Sequence, residues 1–251
     1  MKNLKNIIRG VSFVLSLFMV FNVSGQTNGS RTGENLISID YDNPDNPYDD
    51  TGIKHNEIVM EFLKRYGNER LAIQKTLDLT NELCDEHELK GERLTLKQFN
   101  YGVSDIKNSF SGTVEKSNLS YTGKIELQRL LDFIVSNGFK GGIDLEEVVI
   151  YIKDFESSIM KNRELTESDK TSLLQLSSVG RHSVGMWYKI YNSPTAQKIA
   201  EKRTPGWLRW LVVGAADVAG GVAGGGAFSV ATGVAASTTT NTFISTVDKE
   251  K

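Results

Sequence analysis

Along the middle of this chain apolar residues recur with the three-to-four spacing of amphipathic helices, broken into segments by Gly, Pro and capping residues. Ile58, Val59, Phe62, Leu63 and Tyr66 share one helical face and stop at Gly67, a residue suited to a helix C-terminal cap. Leu71, Leu77, Leu83 and Cys84 predict a second helix ending near Gly91, and residues 94–118, with weaker periodicity, predict mixed structure. Leu127, Leu130, Leu131 and Ile134 mark a helix that closes at Gly138, ahead of a Gly141-Gly142 turn. Asp144 with Glu147 three residues on forms a capping-box pattern for a helix through Val148, Ile152, Phe155 and Ile159. Residues 148–152 are β-rich enough to allow a short strand instead. Thr166-x-x-Asp169 is a further cap signal, for a helix with Leu173, Leu176, Trp187 and Tyr191, and Pro194 and Pro205 then bracket a short basic helix. The fold class predicted is mainly α: a multi-helix domain over residues 51–204, with no internal repeat.

The two ends depart from this pattern. Lys2, Lys5 and Arg9 precede an apolar run over residues 11–23, and Val23-Ser24-Gly25 offers small residues for a signal peptidase, so residues 1–25 read as a cleaved export signal. The run is shorter than the ~20 residues a spanning helix needs. The expected location is therefore exported: periplasm, cell envelope or extracellular space. Residues 26–50 are rich in Asn, Asp, Gly and Pro and read as an extended acidic leader. Residues 205–247 form a Gly/Ala-rich apolar tail, expected as a helical hairpin turning at residues 220–226 or as a single apolar helix.

Composition adds three limits. The chain is 39% hydrophobic and 24% charged, which fits a globular protein. Without residues 1–25 it keeps 26 basic against 31 acidic residues, a net charge of −5, which argues against a nucleic-acid partner. Cys84 is the only cysteine, so no internal disulfide forms, and its place among apolar helical positions points to burial.

Asn46-Pro47-Tyr48-Asp49-x-x-Gly52-x-x-His55-Asn56, running into an amphipathic helix, resembles a segment of uncharacterised exported bacterial proteins. The same family is similar at the Ser183 to Trp187 stretch and in its closing Trp-then-Gly/Ala-rich tail. The resemblance implies export and helical content and supplies no activity. Taken residue by residue, the segment is a helix start in which Asp49 or Asp50 caps the first turn and His55 lies near those carboxylates. Asp49, Asp50, His55 and Asn56 are thus the candidate site, either as cap residues or as an enzyme's His–Asp pair.

Other chemistry is weaker. The Asp40, Asp42, Asp45, Asp49, Asp50 string lacks the Gly and Glu that an EF-hand loop needs at its sixth and twelfth positions, and reads as a solvated leader. Cys84-x-x-His87 with His55 and His182 would need separate elements to converge on zinc. Gly180-Arg181-His182-Ser183-Val184-Gly185 has Arg where the nucleophile elbow requires a small residue, and His182 and Ser183 diverge around a helix. Residues 220–226 lack the Lys and Ser/Thr of a phosphate loop. No catalytic, cofactor-binding or metal-binding set is assigned, and no cofactor is expected.

The tail carries the functional expectation. Ala216, Gly220 and Gly224, with Gly221 and Gly225 beside them, have the small-xxx-small spacing that lets helix backbones approach closely, and Trp207 and Trp210 stand at its mouth. Asp217 opposes a simple membrane span, since a mid-helix carboxylate costs about 2.5–3.5 kcal/mol on insertion scales. Hairpin packing on the domain, contact with a membrane surface and self-association are the three readings. The leading expectation is an exported, non-enzymatic protein acting through this tail. The alternatives are a membrane-active, bacteriocin-like protein and an enzyme using His55 with Asp49 or Asp50.

Overall fold

The computed structural model describes residues 39–66, 69, 71–89, 93–140, 143–191, 214–221 and 230–247. The fold is mainly helical, with no strand among the described residues. The helices lie in one compact unit, Tyr41–Lys251, and Met1–Asp40 forms a second unit. In chain order they are α1 (Asp50–Tyr66), α2 (Ile73–Glu86), α3 (Leu96–Asp105), a 3₁₀ turn (Ile106–Asn108), α4 (Ser111–Glu115), α5 (Tyr121–Lys140), α6 (Leu145–Lys161), α7 (Glu167–Tyr191), α8 (residues 214–220) and α9 (Val230–Val247).

Caps explain several boundaries. Thr95 and Gln98 make a reciprocal capping box that starts α3 inside the stretch expected to be mixed, which is instead helical over most of residues 96–115. Thr166 and Asp169 do the same for α7: the Asp169 N–H donates to Thr166 Oγ1 at 3.0 Å and the Thr166 N–H to Asp169 Oδ2 at 3.3 Å. Asp169 also accepts the Ser120 N–H, and Ser120 Oγ accepts the Gly123 N–H of α5, so two helix starts share one carboxylate. Burial raises the Asp169 pKa, but these donors outweigh it and hold the carboxyl below its ordinary value.

One alternative falls and two expectations are corrected. Residues 148–152 form no strand: the Asp144 cap, which accepts the Glu146 N–H, starts a helix whose Val148, Ile152, Phe155 and Ile159 are all buried on one face. α5 runs through Gly138 to Lys140, because a single helical Gly costs only about 1 kcal/mol and neighbouring packing overrides it. α2 stops at Glu86, with Glu88 in the left-handed region at φ 52°, before the predicted end at Gly91. Gly67, Gly91, Gly141, Gly142, Pro194 and Pro205 lie outside the described residues, as do residues 1–25.

α7, 25 residues long, is the central helix, packed by α1, α5 and α6. From Leu173 to Gly185 only Gln175 escapes burial, the pattern of a helix enclosed on all sides. α9 packs on α1 and α2, with Ala231, Val234 and Ala235 fully buried. α8 is buried along its length and meets α7 where Gly180 faces Val218 and Gly214 faces Val184. It meets α9 where Gly220 faces Ala236. Cys84 is buried in α2, and burial pushes its thiol pKa up to about 11.

Candidate functional site

A fully enclosed helix bearing Ser177, Ser178, Arg181, His182 and Ser183 must satisfy those groups from its neighbours, since an unpartnered buried polar atom costs about 1–3 kcal/mol. It does so through two polar clusters back to back on α7.

The first holds Arg181, which is completely buried. Its guanidinium bonds Asp49 Oδ1 and lies 3.2 Å from Glu156 Oε1 of α6. Glu156 also receives the Asn43 amide at 2.5 Å, the Asn46 amide at 3.0 Å and the Ser177 hydroxyl at 3.1 Å. Asp49 Oδ2 accepts the Asn43 N–H at 3.0 Å, and Asp49 Oδ1 lies 3.2 Å from His182 Nε2. Burial raises the Asp49 pKa, but the Arg181 hydrogen bond and the surrounding donors and cations more than reverse this and hold it low. The His182 pKa is lowered by burial first and by Arg181 repulsion second, against the pull of Asp49. Truncating Arg181 would leave carboxylates without their cation, the situation that makes breaking a buried pair cost about 3–5 kcal/mol.

Residues 41–49, expected as an extended, solvated leader, are therefore folded onto α6 and α7. Successive turn bonds from Asn43 O, Asn46 O, Tyr48 O and Asp49 O carry the chain into α1. Asp45 and Asp50 are exposed, whereas Asn43 and Asn46 are buried. The expected cap by Asp49 is replaced by one from another helix. Ser178 Oγ of α7 accepts the Gly52 N–H at 3.0 Å and donates to the Asp49 carbonyl at 2.8 Å. Asp49 itself is turned to Arg181.

The second cluster joins α1, α7, α8 and α9. Asp217 of α8 is fully buried and accepts the Ser183 and Ser237 hydroxyls on Oδ2, the latter at 3.0 Å. Trp187 Nε1 donates to Ser237 Oγ at 3.0 Å, so an indole N–H, a hydroxyl and a carboxyl form one polarised chain. Burial drives the Asp217 pKa well above the ordinary carboxyl value, against the hydroxyl bonds that lower it. His55 of α1 is likewise unexposed, with Nε2 3.9 Å from Asp217 Oδ2 and the Gly233 backbone against its ring. Asn56 donates its amide N–H to the His182 carbonyl at 2.9 Å, leaving Oδ1 to accept from His55 Nδ1 at 3.1 Å. That amide favours the proton on Nδ1 and leaves Nε2 between Asp217 and the Gly233 backbone. Burial then lowers the His55 pKa to about 4 and raises that of Asp217, so it disfavours the charged form of both partners.

The candidate pairing of His55 with Asp49 or Asp50 is not formed: His182 takes Asp49, Asp50 stays exposed in the first turn of α1, and His55 faces the tail. His182 and Ser183 do diverge, to Asp49 and to Asp217 respectively. Glu156, Arg181, Trp187 and Ser237 were not singled out as site residues. A charged side chain within an enclosed helical run was the available signal for Arg181. Of the tail residues, Ala216, Gly220 and Gly221 are buried, while Trp207, Trp210, Gly224 and Gly225 lie outside the described residues.

Asp42, Asp49 and His182 bring ligand atoms within 4.8 Å of one another, the one grouping among the described residues with metal-binding chemistry. Arg181 already bonds that Asp49 oxygen and sits 3.4 Å from His182 Nε2, so a cation occupies the position. No helix among the described residues is long and apolar enough to cross a membrane. No family model matches the chain, and neither a curated protein nor a solved structure matches it.

Proposed function

We propose that this chain is an exported, non-enzymatic bacterial protein of the cell envelope or extracellular space that acts through its Gly/Ala-rich tail. The domain keeps the tail seated until it makes helix–helix or membrane contacts elsewhere. The signal-like pattern of residues 1–25 and the tail's small-residue spacing in the sequence support the reading. The observation that carries it is the seat of Asp217, where residues of α7 and α9 supply hydroxyls to the one carboxyl of α8. The hydroxyls satisfy that carboxyl while burial raises its pKa, which favours the proton-bearing form that carries less of the charge cost of a mid-helix Asp. An enzyme built on His55 has less support, because that imidazole is 0% exposed and Asp49 is held by Arg181.

The test is vesicle flotation of residues 26–251 beside a Gly220→Leu variant, whose side chain cannot fit against Ala236. The wild-type chain is expected to stay in the aqueous fraction. The variant, still helical by circular dichroism, is expected to float or self-associate, and dye release then separates membrane activity from assembly. A helical variant as soluble and monomeric as the wild type would overturn the proposal.

A further inference from the structure

Between the tail and the α3–α4 region lies a cleft of about 670 Å³. That is within the ~300–1,000 Å³ typical of small-molecule sites. Its floor is made of small tail residues, Ala216, Ala219, Gly220 and Ala236. Leu94, Phe99, Ile106 and Phe110 wall it. The lining follows α3 from end to end, about 15 Å at 1.5 Å per residue, so the space is a slot more than a bowl. At Gly102 an added Cβ would meet nothing within 4 Å, an independent sign of open volume beside the helix.

Two further features mark the slot as built. Ser109 and Phe110 are consecutive non-Gly residues in the left-handed region, at φ 49° and 60°, a conformation costing about 1–2 kcal/mol per residue. The strain turns Phe110 into the wall, where it is 3% exposed. Nearby carboxylates are engaged elsewhere: Asp105 accepts the Thr113 N–H at 2.8 Å and the Thr113 hydroxyl at 3.2 Å, and Glu115 lies 3.8 Å from Lys124 Nζ. Among the described residues the charged groups lining the slot are Lys97 and Lys116, both exposed. Lys116 Nζ lies 3.4 Å from the Tyr101 ring centroid, which holds an ammonium at the mouth.

An elongated apolar slot with small residues below and cations at its rim has the complement of one ligand class. We infer that the cleft binds a single-chain anionic amphiphile, a fatty acid or similar chain, with its hydrocarbon along the Ala/Gly floor and its carboxylate at Lys116 and Lys97. The site stands on the seated tail and does not require the tail to leave, so it can be tested apart from the proposed function.

The experiment is calorimetric titration of delipidated residues 26–251 with dodecanoate below its micellar concentration, without vesicles. Dodecanol and dodecyltrimethylammonium are the controls. The expected result is saturable one-site binding of dodecanoate, at least tenfold tighter than either control. A Lys97→Gln/Lys116→Gln double variant, changed only at exposed positions, is expected to lose about tenfold in affinity for dodecanoate and none for dodecanol. Gly102→Trp, filling the open volume, is expected to abolish binding of both. Absence of saturable binding, equal affinity for the cationic amphiphile, or unaltered affinity in the lysine variant would each overturn the inference, and the last holds even if Gly102→Trp fails to fold.

Discussion

At the residue scale the tail junction turns on Asp217. A buried carboxyl whose pKa is raised keeps its proton in the folded state at pH values where the unfolded chain has lost it. The folded state then binds more protons, so stability falls as pH rises from the ordinary value of 3.8 toward the folded one. Asp217→Asn keeps an acceptor for Ser183 and Ser237 and removes the titration. Its stability relative to wild type is therefore expected to grow between pH 5 and pH 8, read by urea unfolding. Asp217→Ala instead leaves two buried hydroxyls without their acceptor and is expected to lose about 1–3 kcal/mol at both pH values. A difference between Asp217→Asn and wild type that does not change with pH would contradict this protonation. The sequence marked Asp217 as awkward for a membrane span, and its seat explains why the domain tolerates it. What could not be read was the partner, since Ser183 and Ser237 lie 34 and 20 residues away and only tertiary packing unites them.

At the element scale, glycines divide into those that space helices and those that only weaken them. A Cβ at Gly52 would come within 2.6 Å of His182 Cδ2 and closer still to the Ser178 carbonyl oxygen, so α1 and α7 touch backbone to backbone there. Gly52→Ala must push the helices apart and tear at the Ser178 cap, and is expected to cost about 1–3 kcal/mol, as overpacked cores do. Gly102 in α3 has open space around it, so Gly102→Ala is expected to gain about 0.5–1 kcal/mol from helix propensity and reduced unfolded-state entropy. Thermal unfolding of the pair checks the opposite signs, and two shifts in the same direction would refute the distinction. Elements were the most legible level: the Thr166/Asp169 and Asp144 caps and the Ile58–Phe62 and Val148–Ile159 faces lie where local chemistry puts them. The misread place is Gly138, where tertiary packing overrides a modest local preference, whereas at 148–152 the helical reading holds over the strand alternative.

At the scale of the whole molecule, both polar clusters sit where separate parts of the chain meet: the turns of residues 41–49 against α6 and α7, and α8 with α9 against α1 and α7. Acid acts on that junction in a definite direction. The His55 pKa falls from 6.5 to about 4 on folding, so between those values the unfolded state binds the extra proton and stability is lost as pH drops. Over the full window the loss is on the order of 3 kcal/mol. His182, lowered by burial and by Arg181, acts in the same sense, and Asp49, lowered by its partners, adds loss at lower pH as it takes up a proton. Asp217 opposes them, since its retained proton favours the folded state at low pH. His55→Asn removes the first contribution alone, so its stability is expected to fall less steeply than wild type from pH 6.5 to pH 4, while His182→Asn retains the His55 slope. Hydrogen exchange locates the effect: protection over residues 214–221 and Val230–Val247 is expected to drop before that of α5 and α6, because His55 touches the tail helices and those two do not face it. Equal slopes for wild type and His55→Asn would show that the imidazole is already charged in its seat, which its 0% exposure argues against.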